Sequence, residues 1–194
     1  RADKDRITLS GKINCPKLWN GVNSPTLYRA EITLFCNGKP VDSIEQEFGI
    51  RSYRIDADNG FFLNGKPYPL HGVNYHQDSY KSGWAMTDAQ RGRDYHIIRD
   101  MGCTAVRMAH YQHCDHEYSL CDRLGLCVWT EIGIINKMSA DESDAHVLSD
   151  GFGDNAKQQL RELIRQNYNH PSVIVWGLSN ELHQMTDEIF GLYS

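Results

Sequence analysis

The 194 residues hold 20 Lys and Arg against 25 Asp and Glu, a net charge of -5, and 40% are hydrophobic. That length allows one domain or parts of two, with apolar side chains enough for a core. The longest apolar run is a few residues, against roughly 20 for a membrane-spanning helix, and no dense Lys/Arg stretch exists to neutralise a phosphate backbone, so neither membrane nor nucleic acid is an expected partner.

The chain opens at Arg1 with no methionine and no charged-then-apolar leader, so a targeting segment is expected to be absent or removed. From Lys17 to Arg54 the pattern is β. Tyr28, Ala30, Ile32 and Leu34 alternate with Arg29, Glu31 and Thr33, giving the apolar face of a half-buried strand. Asn37-Gly38-Lys39-Pro40 predicts a turn, since Asn-Gly accepts positive φ, and the chain returns through Val41, Ile44 and Phe48 as a hairpin. An immunoglobulin-like sandwich takes about 100 residues, so this stretch supplies only part of one.

After Asp56-Ala57-Asp58-Asn59-Gly60 the rhythm changes. Phe61 to Leu63 and Tyr68 to Leu70 flank a second Asn-Gly-Lys-Pro turn, and the chain runs on to Val73 and Asn74. Thr87-Asp88-Ala89-Gln90 has capping-box form and opens a helix to about Met101, with Gly102 as its stop. Cys103 to Met108 reads as a strand, Asp115 to Leu124 as a helix ending at Gly125, and Leu126 to Glu131 as a strand. Asp154 to Tyr168 has helical apolar spacing, Ser172 to Leu178 has the continuous core of a doubly covered strand, and a helix-like stretch begins at Thr186. Of the six cysteines none form a C-x-x-C pair, and Cys103, Cys121 and Cys127 fall on apolar faces, so free buried thiols are expected.

Strands alternating with helices predict parallel βαβ units, as a doubly wound sheet or a (β/α)8 barrel. No G-x-G-x-x-G follows the first strand. A barrel places chemistry beyond the C-terminal ends of its strands, and there the sequence has Asn74 and His76, Arg107 and His110, Glu131, and Asn180 and Glu181. Glu181 at the mouth of an apolar strand would be desolvated and its pKa raised, which suits a general acid; a helix-opening Glu held by the macrodipole explains it equally well. Arg107 in a buried strand calls for a carboxylate partner, and a structural ion pair explains that more simply than a functional one. His110, His113, Cys114 and His116 resemble a zinc cluster in composition, although a strand end running into a helix start points such side chains apart. Trp84, Trp129 and Trp176 offer faces for a sugar ring, and core or rim packing explains each more simply.

Several stretches, taken in order, resemble glycoside hydrolase family 2. They are Pro16-Lys17-Leu18-Trp19, Ser24-Pro25-Thr26-Leu27-Tyr28, Phe48-Gly49-Ile50-Arg51, Phe62-Leu63-Asn64-Gly65-Lys66-Pro67, Gly72-Val73-Asn74-Tyr75-His76, Ala105-Val106-Arg107-Met108-Ala109-His110-Tyr111, and Asn169-His170-Pro171-Ser172 leading to Ser179-Asn180-Glu181. Gly83-Trp84-Ala85-Met86-Thr87 and His110-Tyr111-Gln112-His113 are most like bacterial β-galactosidases, with β-glucuronidase and β-mannosidase as alternatives.

The resemblance implies an α/β fold: a (β/α)8 TIM barrel, its first half covered by residues 57-194, preceded by the C-terminal part of an immunoglobulin-like β-sandwich over residues 1-56. It implies hydrolysis of a β-galactoside or oligosaccharide with retention, by two carboxylates about 5 to 5.5 Å apart. Glu181 matches the acid/base and Asn180 the contact to the sugar 2-hydroxyl. Arg107 matches the arginine that holds the nucleophile, and His110 and His76 the histidines facing substrate. The family nucleophile follows a seventh strand, beyond this chain, so the remainder of a parent chain is an expected partner and residues 1-194 alone are expected to be inactive. A second copy of the chain stays open as a partner, and periplasm and cytoplasm both stay open. No cofactor is expected: some relatives bind magnesium through a Glu and a His after the third strand, whereas Glu131-Ile132-Gly133 leads here to Ile134, Ile135, Asn136 and Lys137. A non-catalytic carbohydrate-binding protein and a metal-dependent hydrolase are the rivals from other classes.

Overall fold

The computed structural model describes residues 2, 3, 6–135 and 151–181; the expectations for Asn136, Lys137 and the stretch from Thr186 lie outside them. Strands β1 (Ala2–Asp3) and β2 (Arg6–Ile7) pair antiparallel. β3 (Tyr28–Cys36) and β4 (Lys39–Phe48) form the expected hairpin, from Tyr28 opposite Phe48 to Cys36 opposite Lys39. Asn37 and Gly38 both have positive φ, 50° and 75°, as a two-residue primed turn requires.

The apolar face of that hairpin is not half-buried as its alternation predicts. Ile32, Leu34 and Ile44 are 45%, 54% and 57% exposed. The stretch at Ile7 and Leu9 borders a cleft with this face and leaves it exposed.

β5 (Tyr53–Asp56), β6 (Gly60–Leu63) and β7 (Lys66–Pro67) make a three-stranded antiparallel sheet around the second Asn-Gly turn. The strand expected over Tyr68 to Leu70 stops early. Tyr68 still donates its N–H to Phe61 O at 2.9 Å, but Pro69 has no N–H to extend the ladder.

Beyond it lies a parallel sheet of β8 (Gly72–Tyr75), β9 (Ala105–Met108), β10 (Cys127–Glu131) and β11 (Val173–Gly177). Each strand neighbours the next in sequence. Sequential order without reversal is the barrel arrangement; a doubly wound sheet reverses at its switch point. Helices α1 (Asp88–Asp100), α2 (Asp115–Leu124) and α3 (Phe152–Asn167) make the crossovers. The Thr87 hydroxyl accepts from Gln90 N–H, and Gln90 Oε1 accepts from Thr87 N–H at 2.8 Å, completing the capping box. α2 stops at Gly125, φ 77°, where a Cβ would collide with the Gly21 backbone, so glycine is needed for conformation and for space.

The helices cover the sheet with Tyr95, Ile98, Tyr118 and Cys121 against Val106, Met108, Val128 and Val173. A second cluster, Trp19, Phe61, Leu63, Tyr68, Cys127 and Ile174, ties the N-terminal segments to the sheet. Polar contacts reinforce that seam. Trp19 Nε1 donates to Asp122 O at 2.9 Å, and Arg51 donates to Pro171 O and Val173 O at 2.9 and 2.6 Å. Asp122 accepts from Ser172 N–H and lies 2.6 Å from His170 Nδ1. Burial alone would lower the His170 pKa; the hydrogen bond and charge of Asp122, with Asp115 behind it, outweigh burial and raise it. All six cysteines are free: Cys103, Cys121 and Cys127 are buried, Cys114 is half-buried, and Cys15 and Cys36 are exposed.

Candidate active site

The C-terminal ends of the four parallel strands bring the sequence-predicted residues to one edge. Asn74 on β8 sits beside Arg107 on β9, and Glu131 ends β10 beside Gly177. Glu131 is fully buried. Its Oε1 lies 2.5 Å from Arg107 Nε as an ion pair and its Oε2 accepts from Arg107 Nη2 at 3.1 Å, so both carboxylate oxygens engage the guanidinium. A Cβ on Gly177 would fall 3.0 Å from that of Glu131 and 2.5 Å from Trp129 Nε1, so the glycine makes room for both.

Arg107 reaches further. Nη2 also donates to Asn180 Oδ1 at 3.0 Å, and Nη1 to Asn74 Oδ1 at 3.4 Å. With Oδ1 of Asn180 held by a cation, its Nδ2, the donor end of the amide, is turned away from Arg107. The Asn180 backbone is pinned by its N–H to Ile134 O at 2.8 Å and by a bridge to Ile135. The carboxylate anticipated for Arg107 is therefore Glu131, which sequence reasoning placed at the strand end without giving it that role. Its signal was an Arg and a Glu at the mouths of adjacent apolar strands.

His110 Nδ1 lies 3.9 Å from Glu131 Oε1, and its ring meets His76 edge-on, centroids 5.1 Å apart. His76 Nδ1 is 3.2 Å from the Tyr111 hydroxyl, whose pKa is raised by burial and by the charge of Asp78. Tyr111 in turn stacks on Trp84 at 4.9 Å. His76, Arg107, His110 and Asn180 thus share one edge, and Glu181 follows Asn180 with φ 50°, a region uncommon for a non-glycine residue.

Glu181 departs from the expectation of a desolvated acid. It is exposed among the described residues. The continuation that would test the helix-opening explanation lies outside the described residues.

The histidine cluster diverges. His113 is buried between Glu117 Oε2, at 2.6 Å, and Ala109 O, at 3.1 Å; His116 faces Asp88; His110 turns to Glu131. Among the described residues no three His, Cys, Asp or Glu side chains converge on a metal position. Both carboxylate oxygens of Glu131 face the Arg107 guanidinium. Sequence reasoning missed the buried network beneath the site, where Arg91 Nε at 3.2 Å and the Tyr95 hydroxyl at 3.3 Å converge with His113 on Glu117. It holds α1, α2 and the segment after β9 together.

This arrangement finds its counterpart in known proteins. The model of the glycosyl hydrolases family 2 TIM barrel domain matches residues 55–193, and a second model, glycosyl hydrolases family 2, matches residues 1–51. The chain belongs to glycosyl hydrolase family 2, and its fold is the family's TIM barrel preceded by strands of a β-sandwich. It is 45% identical over 90% of its length to a β-glucuronidase of Bacteroides fragilis, and 32% identical over 89% to a β-galactosidase of Bacteroides ovatus. Among solved structures it resembles β-glucuronidase 2 of Bacteroides uniformis covalently bound to cyclophellitol-6-carboxylate aziridine, with 38% identity, a TM-score of 0.76 and 91% of this chain covered. The chain spans 25%, 20% and 21% of those three proteins.

Proposed function

We propose that the protein carrying these residues hydrolyses terminal β-glycosides with retention. The observation that carries the reading is the Glu131–Arg107–Asn180 relay, which presents an oriented amide donor immediately before a glutamate at the rim of a parallel-strand edge. Glu181 is the general acid that protonates the glycosidic oxygen, then the base that activates the water releasing the sugar. Asn180 Nδ2 donates to the sugar 2-hydroxyl. Arg107 keeps the Nη1 hydrogen that does not go to Asn74 for the nucleophile carboxylate supplied from further along the parent chain, and His110 and His76 line the sugar. Covalent capture of the B. uniformis relative by an aziridine is the behaviour a nucleophilic carboxylate gives. The motifs after His76 and Arg107 favour a β-galactoside as substrate. The identity to the B. fragilis enzyme favours a β-glucuronide, and the two sugars differ in the configuration at C4 and in whether C5 carries a hydroxymethyl group or a carboxylate. No magnesium takes part in this reading.

The test uses the whole protein with 4-nitrophenyl β-galactoside and β-glucuronide. Hydrolysis of one over the other, with the β-anomer formed first by NMR, identifies the sugar and the retention. Glu181→Ala is expected to lose about 10²–10⁴-fold in kcat/KM on methyl glycosides and far less on 2,4-dinitrophenyl glycosides, whose leaving group needs no proton. Equal losses on both would remove Glu181 from the acid role.

A further inference from the structure

Trp84 is 64% exposed, yet it is not a loosely held surface side chain. The turn before it is closed by Ser79 N–H to Gly83 O at 3.0 Å and Gly83 N–H to Ser79 O at 2.8 Å, with the Ser79 and Ser82 hydroxyls 2.7 Å apart. After it, Ala85 N–H donates to Ser82 O, and Met86 is buried with its carbonyl held by Arg91 Nη1 at 2.6 Å. The backbone is therefore fixed on both sides of the indole. One face of the ring lies on Tyr111, centroids 4.9 Å apart at 30°. Among the described residues the indole makes no second ring contact, and most of it is exposed.

Its position matters as much as its rigidity. From Glu131 the site leads outward through His110, His76, Tyr111 and Trp84, with ring centroids spaced 5.1, 5.9 and 4.9 Å. The inner members carry nitrogen and hydroxyl groups near the charged cluster; the outer one offers an apolar flat face to solvent. Trp129 is already committed, its ring lying under Arg107 at 5.5 Å, and Tyr80 at the tip of the same turn is fully exposed with no ring partner among the described residues. A flat apolar face held rigid and largely exposed beside a polar site binds rings whose faces present C–H groups.

We infer that Trp84 is the aglycone platform of this site, binding a neutral sugar ring or an aromatic group on the leaving-group side of the scissile bond. This rests on the glycosidase reading above. A contact to the aglycone made equally in ground state and transition state changes KM rather than kcat.

The experiment compares the whole protein with its Trp84→Ala, Trp84→Leu and Trp84→Phe variants, using the sugar it accepts as three substrates: the β-glycosyl fluoride, the 4-nitrophenyl glycoside and a disaccharide. Trp84→Ala and Trp84→Leu are expected to raise KM for the disaccharide and the aryl glycoside about tenfold at unchanged kcat, the scale of one lost aromatic stacking contact. The fluoride, which has no ring to stack, is expected to change less than about twofold, since it makes no contact to lose, and Trp84→Phe recovers most of the loss. Should Trp84→Ala fail to fold, Trp84→Leu and Trp84→Phe carry the same comparison, since both keep apolar bulk and only Phe keeps a flat face. Equal losses on fluoride and disaccharide, or no change on any substrate, overturn the platform while leaving the glycosidase reading standing. Failure of the unmodified protein to hydrolyse any of the three overturns that reading and the platform with it.

Discussion

The β3–β4 hairpin and the parallel sheet β8–β11 are both rich in strand-forming residues, and they end in opposite environments. In the hairpin, Ile32, Leu34 and Ile44 stay about half exposed; in the sheet, Val106, Met108 and Val128 are at most 1% exposed. Every crossover between parallel strands is a helix that must lie on the sheet, so the sheet brings its own cover. A hairpin closes in two residues and brings none. Alternation along a strand therefore shows which face calls for a partner, whereas only βαβ connectivity guarantees that one arrives. The same difference places chemistry: the covered sheet can hold a buried Glu131–Arg107 pair at its edge, and the hairpin carries its Arg29–Glu45 pair at 3.2 Å in solvent, where such a pair contributes little.

Three substitutions test that contrast, and the largest effect is expected at the sheet edge. Glu131→Gln leaves a guanidinium facing a neutral amide in a buried site, and about 3 kcal/mol of unfolding free energy is expected to be lost, at the low end for a broken buried pair because a quarter of the Arg107 side chain is exposed. Denaturant unfolding measures it; a loss below about 1 kcal/mol, the range of exposed pairs, would place this pair with the hairpin's.

Next comes Asp122→Asn at the seam. Because the folded pKa of His170 is raised above 6.5, its pairing with Asp122 contributes in full below that value and is lost as pH rises through the folded pKa. The difference between parent and variant is expected to be about 1.5–3 kcal/mol near pH 6 and to shrink toward pH 8 and above. Unfolding curves at several pH values check it, and a difference growing with pH would reverse the assignment.

The smallest effect belongs to the hairpin. Ile32→Ser in residues 1–194 is expected to change stability by no more than about 0.5 kcal/mol, as for an uncovered surface position. A cost of about 2 kcal/mol or more, as for a buried aliphatic side chain, would show that face to be packed.

Much of the fold was legible because local signals fix local elements. Thr87 and Gln90 announced the start of α1, Gly125 the end of α2, and the two Asn-Gly pairs both tight turns, since capping and positive φ are settled within a few residues. Tyr68 to Leu70 misled because apolar content was read without the missing donor of Pro69. Exposure at Ile32 and at Glu181 misled for another reason: burial depends on residues distant in sequence, and neither pattern nor propensity states which of them arrive.

The sequence by itself determined the order of strands and helices and placed Asn74, His76, Arg107, His110, Glu131, Asn180 and Glu181 at strand ends, because periodicity and capping are properties of neighbouring residues. Only the tertiary structure decided that Glu131 is the partner of Arg107, that Arg107 sets the direction of the Asn180 amide, and that the four clustered residues from His110 to His116 turn apart. Those outcomes depend on parallel register between strands more than 20 residues apart in sequence, and register is set by how helices pack the sheet, which no single stretch of sequence contains.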